Sequence, residues 1–189
     1  SIDKLGPTQR SFLLDAHIAS VEQISGGKGR VLVLEPTALL SIMINEEDHI
    51  RLQSMMSGLM CRQTWEIVDW ADTALSGKLD FGFSERYGYL TADVSNLGTG
   101  LRLSVMLHLA GLAILGRVGK QLRAAYDLGV SVRGMFGEGS RGLGDMYQVS
   151  NEITLGFGEH EITEKVHSVA QYLLREERSA RNELLSEQR

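Results

Sequence analysis

The sequence predicts an α+β fold, a largely antiparallel sheet flanked by helices, and three observations carry that expectation. Two apolar, strand-like runs, "RVLVLEP" and "LLSIMIN", lie a few residues apart around Pro36, the spacing of an antiparallel hairpin. Strand-patterned and helix-patterned segments then mix without the regular βαβ alternation of a parallel sheet. Near the end, Ile162, Val166, Val169 and Leu173 recur at steps of four, three and four, the stripe of a long amphipathic helix.

The elements follow in order. Residues 1–24 are loosely patterned and lead to the turn "SGGKG". After the hairpin, the acids of "EEDHIRLQSMMSG" read as the first turn of a helix that Gly58 ends. "TWEIVDWADTALSG" reads as a second amphipathic helix, again closed by a glycine. Short strands are expected around "LDFGF" and "YGYLT", ahead of the loop "ADVSNLGTG". The run "LRLSVMLHLAGLAILG" is apolar nearly all round, which predicts a buried helix. "RVGKQLRAAYDLG" should form a further helix ending at Gly129, with "VSVRGMF", "DMYQVSN" and "EITLG" as strands. The last helix is "EHEITEKVHSVAQYLLREERSARNELL".

A chain of 189 residues without internal repeats or low-complexity linkers suits one domain with a sizeable core. Its 43% hydrophobic and 23% charged residues are ordinary globular values. A net charge of -5 argues against a general nucleic-acid or membrane-surface binder, since both need a basic face. The longest apolar run, 16 residues carrying Arg102 and His108, is too short and too polar to span a membrane. Cys61 is the single cysteine, which favours a reducing, cytoplasmic setting. No signal peptide is visible, and the chain begins at Ser1.

Several stretches carry candidate chemistry, each beside a plainer reading. "GEGSRG" (137–142) fits G-x-G-x-x-G, but it leads into a strand pattern rather than a helix, so a hairpin loop is preferred over a dinucleotide site. In "VSVR" alternation puts Val130 and Val132 on one face and Ser131 and Arg133 on the other, where the arginine either faces solvent or meets an anion. "NLGTGLR" is either a plain turn or a glycine loop feeding a helix whose N–H groups cradle an anion. "NEEDHIR" is either an acid-rich helix start or a functional cluster. His17 reads by itself as a surface or satisfied histidine.

In this order and spacing, "NEEDHIR", "GYLT", "SNLGTGLR", "VRG", "GE" and "QVSNEITLG" resemble the catalytic domain of the phosphagen kinases, the ATP:guanido phosphotransferases. "SIMINEEDHIR", "VMLHLAGL", "GEGSRGLG" and "EERSARNELL" bring the resemblance closest to the bacterial protein-arginine kinase branch, over about residues 10–181. The resemblance implies an ATP site on an exposed sheet face, with Mg2+ arriving on the nucleotide and no metal ligand of the protein's own. It implies that Glu47 clamps the acceptor guanidinium and acts as general base, with Glu138 as a second carboxylate. His17, Arg51, Arg102 and Arg133 would contact the nucleotide. Two segments align with nucleotide-binding stretches: Arg102, Leu103, Ser104, Val105 and Met106, and Arg133, Gly134, Met135, Phe136, Gly137 and Glu138. Arg51, four residues beyond Glu47, would stand one helical turn from it.

This chain departs from the family pattern in two places. The reactive cysteine of the family falls on Asp93, and nothing matches its upstream arginine-rich segment, so residues 1–189 read as a partial catalytic domain lacking an N-terminal segment. The implied partners are proteins bearing arginine, with no nucleic acid and no membrane, and an oligomer is left open. Two other functions compete: a catalytically impaired pseudokinase that binds nucleotide or a partner, and a small-molecule guanidino kinase.

Overall fold

The computed structural model of the protein describes residues 1–134 and 143–186. The chain divides into two compact units, Ser1–Gly98 and the part from Thr99 onward, both built from antiparallel sheet and helix. The α+β expectation holds.

The first unit opens with a 3-10 turn, Ile2–Lys4, and helix α1, Pro7–Asp15, whose proline sits at the start where no N–H is needed. Arg10 donates to the carbonyls of Ile2, Leu5 and Ile24 at 3.1 Å each, so one guanidinium ties three loop ends together. Helix α2, Val21–Ile24, is capped by Ser20 Oγ, which accepts from Gln23 N at 3.0 Å. Strands β1 (Val31–Leu34), β2 (Leu40–Ile44) and β3 (Ile50–Ser54) form one antiparallel sheet in sequence order. Met43 of β2, fully buried, joins Ile2, Leu13, Ile18, Ala19 and Ile24 in the core. Side chains of this size each contribute about 1.5–3 kcal/mol when fully buried.

Helix α3 (Cys61–Ser76) packs on β3, and β4 (Phe83–Ser84) and β5 (Gly88–Tyr89) make a small hairpin. Gly88 has φ 72°, and a Cβ there would lie 2.4 Å from the Gly98 carbonyl oxygen, which accepts from Tyr89 N at 2.7 Å. Only glycine allows that approach.

In the second unit β6 (Ser104–His108) leads through α4 (Ala110–Ile114) and α5 (Val118–Asp127) to β7 (Val130–Gly134). Strand β8 (Met146–Asn151) then runs between β6 and β7, antiparallel to both. Helix α6, Glu159–Ser186, packs across the sheet with Ile162, Val166, Val169 and Leu173 buried, as its periodicity predicts. Glu177 of α6 reaches the start of α4, accepting from Gly111 N at 2.8 Å and Leu112 N at 2.9 Å. Arg181 Nε, 2.5 Å away, balances its charge.

Four expectations are corrected. Residues 46–58 are not a helix but a turn followed by β3, because Ile50 and Leu52 alternate with Arg51 and Gln53 at the period of a strand. Leu101–Gly116 is not one buried helix. Its first part is β6, with Leu107 buried and Ser104, Met106 and His108 exposed, and only Ala110–Ile114 is α-helical. "NLGTGLR" therefore feeds a strand, and the anion cradle at a helix N-terminus falls away. "EITLG" is not a strand either: β8 stops at Asn151, and Ile153 and Leu155 are exposed. The hairpin loop expected at 137–142 lies outside the described residues.

Candidate active site

The turn between β2 and β3 is closed by Asn45, whose φ of 56° is left-handed and whose N–H donates to His49 O at 2.9 Å. It presents Glu46, Glu47 and Asp48, and the three acids have different fates.

Glu46 turns inward and is buried. It accepts from the Ser20 hydroxyl, from Glu47 N at 2.8 Å and from Arg51 Nη1 at 3.0 Å. Burial alone would raise its pKa; the Ser20 and Glu47 hydrogen bonds and the Arg51 charge outweigh that, and the net direction is down.

Asp48 reaches a second loop. It accepts from Ala92 N at 2.6 Å, Asp93 N at 3.3 Å and Asn96 Nδ2 at 2.9 Å, so one carboxylate holds the segment 92–96 against the turn. Within that segment Asp93 caps the 3-10 turn Val94–Asn96, accepting from Ser95 N at 2.8 Å.

This clamp brings Asp93 to Glu47, which is exposed. The hydrogen bond with the Asp93 carboxyl raises the Glu47 pKa; desolvation and the charges of Asp93, Glu46 and Asp48 act in the same direction. Two carboxyls can hydrogen-bond only with a proton between them. The pair is suited to a planar cation with several N–H donors, which would supply both acceptors and relieve their repulsion.

The other candidates of this unit are placed as follows. Arg51 does not stand a helical turn from Glu47: it lies in β3 opposite Met43, with its guanidinium on Glu46. His17 follows α1 in a left-handed conformation, φ 53°, is exposed, and its carbonyl accepts from Gln53 Nε2 at 2.5 Å.

In the second unit the outward face of the sheet carries the candidates. Arg133 shares a cross-strand row with Gln148 and Met106, and Ser131 shares one with Ser150 and Ser104. Arg133 is exposed, and its Nε donates to Ser131 Oγ at 3.4 Å, which confirms that the two share a face. Of the segment 102–106, Arg102, Ser104 and Met106 are exposed, whereas Leu103 is buried and Val105 half-buried. The exposed guanidiniums of Arg133, on β7, and of Arg102, two residues before β6, are chemically suited to phosphate oxygens. Met135, Phe136, Gly137 and Glu138 lie outside the described residues.

Sequence reasoning missed the anchoring of Arg51 by Glu46 and the loop clamp of Asp48. Both contacts join residues far apart in the chain or across a turn misread as a helix, and no local pattern announces them. Serine before "VEQI" does signal a helix cap, but not that the same hydroxyl reaches Glu46.

A profile of the ATP:guanido phosphotransferase C-terminal catalytic domain matches residues 1–180, and the chain belongs to that family. Among its relatives, a protein-arginine kinase of Pelotomaculum thermopropionicum is 41% identical over 189 residues, covering 100% of this chain and 53% of that protein. A protein-arginine kinase of Halothermothrix orenii is 44% identical over 186 residues, 98% of this chain and 53% of that one. The chain thus spans about half the length of the curated relatives it matches. Among solved structures, the duplicated taurocyamine kinase of Schistosoma mansoni, with bound transition-state-analogue components, superposes with a TM-score of 0.80 at 29% identity, covering 92% of this chain and 25% of that one. A lombricine kinase superposes at 0.79 with 26% identity, covering 95% of this chain and 53% of that one.

Proposed function

We propose that this chain is the catalytic part of a kinase that transfers a phosphoryl group from Mg-ATP to the guanidinium of arginine side chains in proteins. The observation that carries the proposal is the pairing of exposed Glu47 with half-buried Asp93, held by the Asp48 clamp. Its chemistry matches the acceptor that the names of the 41% and 44% identical relatives imply.

A guanidinium is protonated at any ordinary pH, so its nitrogen is a poor nucleophile until a proton leaves. Glu47 holds the planar group and takes that proton as the N–P bond forms and the bond to the departing ADP breaks. Its raised pKa makes it a better proton acceptor than an ordinary glutamate. Asp93, where the family carries a reactive cysteine, keeps a negative charge beside the acceptor. Glu138 is the second carboxylate in this proposal, on the strength of the resemblance.

Arg102 and Arg133 hold the phosphates, with Ser104 and Met106 beside them on the sheet face. Arg51 and His17 are further nucleotide contacts by resemblance. Mg2+ bound with the nucleotide supplies charge neutralisation at the phosphates. Among the described residues no group of three His, Cys, Asp or Glu side chains is placed to hold a metal ion. Among the described residues no helix is long and apolar enough to cross a membrane. The buried thiol of Cys61, the chain's single cysteine, supports a cytoplasmic setting.

The test is direct. Wild-type protein incubated with Mg-ATP and an arginine-bearing protein is expected to form acid-labile phosphoarginine, read by mass spectrometry at neutral pH. Glu47→Gln is expected to lower the rate by about 10²–10⁴-fold, the usual worth of a general base, and leave Mg-ADP affinity unchanged. Activity that survives the substitution removes Glu47 from the base role. Preference for free guanidino compounds over protein would move the substrate class.

A further inference from the structure

Arg102 is exposed and lies outside every strand and helix, yet the backbone on both sides of it is fixed by one side chain. Asn151, the last residue of β8, is only 7% exposed. Its Oδ1 accepts from Leu103 N at 2.8 Å, and its Nδ2 donates to Leu101 O at 2.9 Å and Ile153 O at 3.2 Å. Its own N–H donates to Leu103 O at 3.3 Å. A side-chain amide has one acceptor oxygen and two N–H donors, and all three are engaged here.

The arrangement is a ladder that changes hands. Ser104 pairs with Ser150, so continued antiparallel register would put Leu103 opposite Asn151. There the side-chain oxygen, rather than a main-chain carbonyl, receives the Leu103 N–H, and the β6–β8 ladder ends. Arg102 is the next residue towards the N-terminus from Leu103. Its two flanking peptides are pinned while its side chain stays in solvent.

We infer that Asn151 is a positioning residue that presets Arg102 for an anionic phosphate group. Fixing the Cα of a ligand-binding arginine during folding removes an ordering cost from binding. Aspartate at 151 would keep the acceptor for Leu103 but turn an oxygen towards two carbonyls, and alanine would lose all three contacts. The role assumes that Arg102 binds phosphate, as proposed above.

A double-mutant cycle on Mg-ADP affinity, measured by calorimetry at low salt, separates this role from simple structural support. Asn151→Ala is expected to weaken binding about tenfold, the scale of one charge-assisted hydrogen bond misplaced. Combined with Arg102→Ala it should add no more than about twofold, whereas with Arg133→Ala the two losses should multiply. If Asn151→Ala does not fold, Asn151→Asp runs the same cycle. Losses that multiply with Arg102→Ala, or wild-type affinity in the Asn151 variant, overturn the inference and leave the phosphate site standing. Unchanged affinity in Arg102→Ala alone overturns both.

Discussion

In the unit from Ser1 to Gly98, acids build the candidate acceptor site. Glu46 is buried to anchor Arg51 and Ser20, and Asp48 binds two backbone N–H groups and an amide to hold the 92–96 segment. In the unit from Thr99, the corresponding work around Arg102 is done by a neutral amide, Asn151. The difference follows from what each scaffold must display. A turn presenting the negative pair Glu47 and Asp93 can spend further acids only where N–H donors or an arginine compensate them. A cation such as Arg102 needs a support that adds no charge of its own and so leaves phosphate attraction undiminished. The Glu46 support should therefore respond to pH, whereas the Asn151 contacts should not.

The largest effect should come from breaking the Asp48 clamp. Asp48→Ala leaves two main-chain N–H groups and the Asn96 amide without their acceptor, and is expected to cost about 1–3 kcal/mol in urea unfolding. Amide exchange at Ala92 and Asp93 should accelerate, and Glu47 should return towards an ordinary glutamate. Asp48→Asn, which keeps one acceptor oxygen, should fall between. Unaltered exchange at 92 and 93 would show that the segment is held by other contacts.

Glu46 sharpens the comparison through pH. Its pKa is lowered in the folded state, so its stabilisation is complete above the unfolded value of 4.5 and is lost as pH falls through the folded value. The urea midpoint of the wild type should drop on going from about pH 6 to about pH 3, and Glu46→Gln should flatten that slope. Asn151→Ala should lower the midpoint by the same amount across the range. An equal pH slope in wild type and Glu46→Gln would contradict the anchoring role.

The smallest effect concerns Glu47, whose pKa is raised chiefly by Asp93. Asp93→Asn should lower it, seen as a shift to lower pH of the Glu47 carboxyl signal in a 13C titration and of the acid limb of the phosphorylation rate. A raised folded pKa makes a stabilising contribution that is full below the unfolded value of 4.5 and fades as pH rises through the folded one. Because Glu47 is exposed, solvent screening keeps that contribution slight. A titration that ignores the substitution would dissolve the pair.

Much of the fold was legible because its long periodic segments bury one face. The β1–β2 hairpin, α3, α5, β7, β8 and α6 all stand where their patterns put them. The misread stretches were those in which charge or apolarity masked the period. Three acids in a row look like a helix start, and only the alternation of Ile50 and Leu52 with Arg51 and Gln53 betrays a strand. The exposed Met106, 47% accessible, made β6 look apolar all round. At the candidate site Glu47, Asp93, Arg102 and Arg133 were named by resemblance, while Asp48, Glu46 and Asn151 were not.

By itself the sequence determined which side chains are available for chemistry and which segments have a buried face, since both depend on residue type and local period. It also carried the family motifs in order. What only the tertiary structure decided is which acid does what. Glu46, Glu47 and Asp48 are neighbours with nearly the same chemistry, and their roles separate only when Ser20, Arg51 and the 92–96 segment arrive from elsewhere in the chain. A carboxylate's pKa and function are set by the donors and charges that reach it. Those contacts span 26 residues for Ser20–Glu46 and 48 for Asp48–Asn96, distances over which no local pattern in the sequence has any hold.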